Sequence, residues 1–160
     1  MTIFNFNKSS TINHWSVIDD MVMGGKSSGR FHLDEQGNGV FEGLISLENN
    51  GGFSSVRHRF NEINTTGYTK IVLRVKGDGK KYQFRIKEKT TDSHSYITTF
   101  QTTKEWKVIS LNLKDMYPSF RGRKLDAPNY SKAVIEEIAF LMGNKKAENF
   151  KLTIDHITLE

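Results

Sequence analysis

Apolar and polar residues alternate with a period of two through most of this chain, the pattern of strands that bury one flank and expose the other. The clearest stretch is Ile71-Val72-Leu73-Arg74-Val75-Lys76, then Gly77-Asp78-Gly79, then Tyr82-Gln83-Phe84-Arg85-Ile86-Lys87. The glycines of the connector supply positive φ, so the two runs read as a β-hairpin. With Lys76 opposite Lys81, Val75 faces Tyr82, Leu73 faces Phe84 and Ile71 faces Ile86, while Arg74 meets Gln83 on the polar side. A slip of one residue would invert both faces.

The same alternation predicts strands over residues 29–33, 40–47, 53–60, 95–100, 106–113, 138–142 and 150–159. Between them lie clusters suited to tight turns: Asp34-Glu35-Gln36-Gly37-Asn38-Gly39, Asn49-Asn50-Gly51-Gly52, Asn64-Thr65-Thr66-Gly67 and Gly143-Asn144-Lys145-Lys146. One short helical turn is expected over 131–137, capped by Ser131. Many short strands without recurring helices predict an all-β chain folded as an antiparallel β-sandwich.

Composition narrows this picture. A length of 160 residues suits a single domain over 1–160, and 36% hydrophobic against 26% charged residues excludes intrinsic disorder. With no cysteine in the chain, thiol catalysis and thiolate metal sites are excluded. No run approaches the ~20 apolar residues of a transmembrane helix, and the first residues lack the order of a secretion signal or transit peptide, so a cytoplasmic location is expected. The net charge of +5 is unevenly placed: residues 56–90 hold ten Lys/Arg against three Asp/Glu. That local excess suits phosphates, acidic lipids or an acidic protein surface, and equally a solvated sheet face.

The search for chemistry returns little. His14, His32, His58, His94 and His156 are scattered singly, which argues against a zinc site, and the glycines of Gly77-Asp78-Gly79 open no helix that could cradle phosphate. Asp19 and Asp20 are adjacent, so on an extended segment they would point to opposite sides and serve poorly as a catalytic pair. No catalytic residue, metal site or cofactor is therefore assigned. Two loop segments stand out: residues 15–29, which crowd Asp19, Asp20, Met23, Gly24, Gly25 and Ser27 together, and residues 46–57, with Asn49, Asn50, Gly51, Gly52 and Arg57. Paired glycines permit close approach, so both segments are candidates to line a cleft; the alternative is interlocked loops closing one end of the sandwich.

These segments, with Phe41-Glu42-Gly43, Lys76-Gly77-Asp78-Gly79, Phe120-Arg121-Gly122-Arg123 and the terminal Leu152-x-Ile154-Asp155-x-Ile157, resemble the complex I intermediate-associated protein 30 family, in order and over nearly the whole chain. The resemblance implies a galactose-binding-like jelly roll, related in architecture to carbohydrate-binding modules, and a role in assembling respiratory complex I. It carries no catalytic role for the matching positions. The leading expectation is a non-catalytic binding module for a protein client, such as a respiratory-complex assembly intermediate. Its contact surface would be the two Gly-rich loops and a basic sheet face around Arg57, Arg74 and Arg85. Carbohydrate binding would require an exposed ring from Trp15, Tyr82, Tyr96 or Trp106. RNA binding would require the basic segment to track phosphates beside exposed rings.

Overall fold

The computed structural model describes residues 1–160, the side chain of Val22 excepted. The strands are β1 (Thr2–Asn5), β2 (Trp15–Asp19), β3 (Ser28–Leu33), β4 (Gly39–Ile45), β5 (Ser54–Asn64), β6 (Lys70–Lys76), β7 (Lys81–Lys87), β8 (Ser95–Gln101), β9 (Trp106–Asn112), β10 (Tyr117–Phe120), β11 (Arg123–Lys124), β12 (Val134–Met142) and β13 (Glu148–Leu159). One sheet runs β3-β4-β13-β6-β9, with β1 pairing the end of β13; the other runs β11-β10-β8-β7-β12-β5-β2. Every pairing is antiparallel. The chain passes back and forth between the two layers, which makes the sandwich a jelly roll.

Alternation explains the core. Phe41, Ile71, Leu73, Val75, Leu152 and Ile154 point inward from the six-stranded sheet, and Val56, Tyr82, Phe84, Ile86, Ile138 and Phe140 from the seven-stranded one; all are buried. Phe84 and Phe140 meet edge to face at 5.2 Å. At one end Trp15 stacks on the His58 ring at 4.7 Å and on Phe31 at 5.0 Å.

The expected hairpin at Gly77-Asp78-Gly79 is not one. β6 pairs with β9 and β13, while β7 pairs with β8 and β12 in the other sheet, so residues 77–80 form an arch between layers. The inward rows are those predicted, but they face each other across the core instead of lying side by side. A second arch, residues 102–105 from β8 to β9, stacks on the first. Gly77 N–H donates to the Thr103 carbonyl at 2.9 Å, and Thr102 donates to the Lys80 carbonyl through its N–H at 3.1 Å and its hydroxyl at 2.7 Å.

The expected helical turn over 131–137 is also absent. Residues from Val134 onward already belong to β12, at the centre of the seven-stranded sheet, where Ile135 and Ile138 are fully buried on either side of a bulge. Non-local pairing outweighs the weak local preference for a turn of helix. Two further corrections concern segments read as loops or left unassigned: Trp15–Asp19 is a strand on the β5 edge, and β1, β10 and β11 add short edge pairings.

The stacked arches leave no room at Gly77. A Cβ there would lie 2.2 Å from the Thr102 side chain, which is buried and held by its own hydrogen bond. Gly77→Ala should therefore destabilise the fold by about 2 kcal/mol, lowering the thermal midpoint by roughly 5 °C. Calorimetry against the neighbouring Gly79→Ala, whose site is sterically open but has φ +85, separates crowding from backbone strain: only the first should cost less in a Thr102→Gly background, where the crowding side chain is gone.

Candidate functional site

The two Gly-rich segments are knotted together by one carboxylate. Asp20 follows β2 at the start of a 3-10 turn over Asp20–Met23 and is fully buried. Its Oδ1 accepts the Ser27 N–H at 2.8 Å; its Oδ2 accepts the Ser27 hydroxyl at 2.5 Å and the N–H groups of Gly52 at 2.5 Å and Phe53 at 3.2 Å. The Ser27 oxygen in turn accepts the Ser46 N–H at 2.9 Å. Asn49, in left-handed conformation at φ 56, donates its amide to the Gly24 carbonyl at 3.0 Å.

Close approach explains the glycines. A Cβ on Gly25 or on Gly51 would stand 2.5 Å from the Asp20 carboxyl oxygens. Burial alone would raise the Asp20 pKa, but the hydrogen bonds from Ser27, Gly52 and Phe53 outweigh it and hold the carboxyl below its ordinary value. Asp19 goes elsewhere: its Oδ1 accepts the Met21 N–H at 3.1 Å, capping the turn, and its Oδ2 accepts from Gly29 N–H at 3.4 Å. The two adjacent carboxylates share no site. On the outside of the knot Met21 and Met23 are 64% and 67% exposed, and Leu47, in the second loop, is exposed as well.

The arginines divide between faces. Arg57 and Arg85 lie on the outward side of the seven-stranded sheet, whereas Arg74 lies on the outward side of the six-stranded sheet, where it pairs with Asp155 at 2.9 Å and covers the Trp106 ring at 4.4 Å. The single basic face expected around Arg57, Arg74 and Arg85 therefore does not form. The cause is the arch: alternation puts Arg74 and Arg85 on one face only if β6 and β7 share a sheet. The basic segment 56–90 is split the same way, with Arg57, Arg59, Arg85 and Lys87 on one face and Lys70, Arg74 and Lys76 on the other.

Around Arg57 and Arg85 the charges are crowded. Glu137, 5% exposed, accepts Arg59 Nε at 2.7 Å and faces Lys87 across the strand pair. Among the described residues the side chains of Arg57 and Arg85 have no hydrogen-bond partner, and the Nε of each is buried. Burial lowers the pKa of Arg57, Arg85 and Lys87, and Glu137 pulls all three back up. Sequence reasoning missed Arg59, Lys87 and Glu137; the alternation Arg57-x-Arg59 and Arg85-x-Lys87 signals shared faces, but only the β5-β12-β7 pairing joins them.

A groove of about 710 Å³ lies on the outward side of the six-stranded sheet, lined among others by Arg30, Glu42, Leu44, Asp78, Lys80 and Lys151. Most of its charges are paired: Arg30 meets Glu42 at 2.7 Å, His32 meets Glu42 at 2.9 Å, and Lys80 meets Asp78 at 3.6 Å. Neither Asp19, Asp20, Arg57 nor Arg74 lines it. Of the rings that sugar stacking would need, Trp15, Tyr82 and Tyr96 are buried in the core, and Trp106 is covered by Arg74. Among the described residues no three His, Asp or Glu side chains come close enough to share an ion.

The knot makes Asp20 a stability residue. Asp20→Ala takes the shared acceptor from three N–H donors, that of Ser27 buried and those of Gly52 and Phe53 part-buried, and from the Ser27 hydroxyl, so urea unfolding should show a loss of roughly 3 kcal/mol. Because the folded pKa is depressed, the contribution is complete above about pH 4, the ordinary carboxyl value, and is lost as pH falls through the lower folded value. Acid unfolding of Asp20→Asn should lack that component of the limb.

Comparison with known proteins agrees with this fold. Two solved structures of family 11 carbohydrate-binding modules from Clostridium thermocellum share the fold. The module of cellulase Lic26A-Cel5E superposes with a TM-score of 0.74 at 16% identity over 99% of this chain and 92% of that one. The module in complex with a β-1,3-1,4-mixed-linked tetrasaccharide gives 0.72 at 16% identity over 96% and 92%. At that identity the likeness establishes the galactose-binding-like sandwich and nothing of the ligand. A Drosophila melanogaster protein named complex I intermediate-associated protein 30, mitochondrial, is 22% identical over 183 residues, 99% of this chain and 62% of the relative. The chain thus spans under two thirds of that relative's length, and the relative's mitochondrial name lends the cytoplasmic expectation no support. The model of the family described as Complex I intermediate-associated protein 30 (CIA30) matches residues 4–154, so the chain belongs to that family.

Proposed function

We propose that this protein is a non-catalytic binding module that holds a protein partner during assembly of a respiratory complex, with the Asp20-centred knot as its contact element. Family membership supports the partner class, and the observation that carries the reading is the knot's construction. A buried carboxylate with all its neighbours satisfied makes the two loops rigid, and a rigid ridge pays little conformational entropy on binding. That ridge presents Met21 and Met23 to solvent at 64% and 67% exposure. Methionine is a polarizable, adaptable side chain well suited to an apolar contact. Met23, Gly24, Gly25, Asn49 and Asn50 then form or shape the contact, while Asp19, Asp20, Ser27, Gly51 and Gly52 hold it in place.

The test is affinity purification of the tagged protein from respiring cells, with mass spectrometry of what is retained. Subunits of complex I should be enriched by the unaltered protein and lost with Met21→Asp plus Met23→Asp. Those positions are exposed, so the double variant should keep its stability to within about 0.5 kcal/mol per site. Equal recovery of complex I subunits by both proteins would remove the ridge as the contact, and no enrichment by either would remove the assembly role.

A further inference from the structure

The outward face of the seven-stranded sheet carries one row in register across six strands: Tyr117, Ile97, Arg85, Ala139, Arg57 and Ser16. Neighbouring strands lie ~4.8 Å apart, so the two arginines rise about 10 Å from each other on either side of the Ala139 methyl. The next outward row is Lys87, Glu137 and Arg59. Four cations therefore share one carboxylate, and Arg59 has taken it at 2.7 Å. Ile97, Ala139 and Leu141, although outward, are only 5%, 6% and 8% exposed. They form a sunken apolar floor beneath the long basic side chains.

A guanidinium Nε–H shut away from water without an acceptor is unfavourable, and here two of them flank one small residue. Like charges crowd the same place, with Arg59 acting on Arg57, and Arg57, Arg59 and Arg85 acting on Lys87. An anion above Ala139 would supply the missing charge, and a guanidinium swung toward it would gain the missing acceptor. We propose that this row is a binding site for the carboxylate side chains of an acidic polypeptide segment laid across the strands, with Arg57 and Arg85 as its two forks.

Carboxylate suits the site better than nucleic acid for three reasons. Arginine forks match planar carboxylates in pairs. The apolar floor accepts the methylenes of Glu side chains. Single-stranded nucleic acid requires exposed rings to stack its bases, and the ring in this row, Tyr117, is half-buried with Lys124 Nζ 5.3 Å from its centre. The site is separate from the loop ridge and does not depend on the assembly reading.

The experiment is a titration of the isotope-labelled protein with an acetylated tetraglutamate peptide, reading the arginine Nε–H and backbone amide signals by NMR. Saturable shifts should appear at the Arg57 and Arg85 Nε–H groups and at Ala139, weakening with added salt. Arg57→Gln plus Arg85→Gln should weaken the peptide at least about ten-fold, as expected for lost charge-assisted hydrogen bonds, and the doubly Lys-substituted variant should weaken it less. Lys70→Gln plus Lys76→Gln, on the opposite face, should leave it unchanged. Shifts that do not saturate, or a Gln variant that binds equally well, would overturn the proposal. So would tighter binding of inorganic phosphate or a ten-nucleotide uridine RNA at the same row. Should the Gln variant fail to fold, the side-chain signals of the unaltered protein decide the question alone.

Discussion

The structure depends on one shared apolar layer that every long strand must reach from one side. Leu73, Leu152 and Ile157 enter it from the six-stranded sheet, and Phe84, Ile138 and Phe140 from the seven-stranded sheet, none of them with measurable exposure. Full burial of each such side chain contributes about 1.5–3 kcal/mol, opposed by an ordering entropy of comparable total size. Faces are therefore not interchangeable. Once the inward rows are committed, everything else about the molecule is decided on the outward rows and at the connectors that cross between layers.

The connectors must carry polar backbone past the edge of that layer, and they do so on acids, one half-buried and one fully buried. At the arch after β6, Asp78 Oδ2 accepts the Tyr82 hydroxyl at 3.0 Å and the Lys151 N–H at 2.9 Å, tying both sheets to the crossing. Burial, and then the charge of Asp78, pushes the Tyr82 phenol up from its ordinary value, so it remains a donor. Asp20 performs the equivalent task at the other crossings, where the segments after β2 and β4 meet. Around Asp20 the residues that come closest are glycines, Gly25 and Gly51, because the loops must close on the carboxylate for their backbone to donate.

Period-two alternation made the inward rows legible, including Ile71, Leu73 and Val75 against Tyr82, Phe84 and Ile86. It could not say whether those rows lie beside or opposite each other, since a hairpin and an arch bury the same side chains. That single ambiguity propagated: with β6 and β7 in one sheet, Arg74 joins Arg85, and with the arch it lies on the far side of the molecule. The strand β12 was half hidden for a related reason. Ala133, Val134, Glu136 and Glu137 have no strong local signal, and the segment is extended because β5 and β7 both need a partner there. The loops were legible as unusual from their glycines, but their purpose was not. Glycine permits close approach without naming what approaches, and the buried carboxylate 2.5 Å from two would-be Cβ atoms becomes apparent only in three dimensions.

Two kinds of charge withdrawn from solvent coexist in this chain, one fully buried and one half-buried. Asp20 is surrounded by donors and its ionised form is favoured, which is the arrangement of a group that holds loops together. Arg57 and Arg85 are sunk in a sheet face with their Nε–H groups unmet, which stabilises nothing in the isolated protein. The carbohydrate-binding modules that share this sandwich show that the scaffold is not tied to one ligand. Here Trp15, Tyr82 and Tyr96, the rings a flat ligand would need, are turned inward, while the arginine side chains without partners are turned outward, so a ligand laid on this sheet would meet charge first.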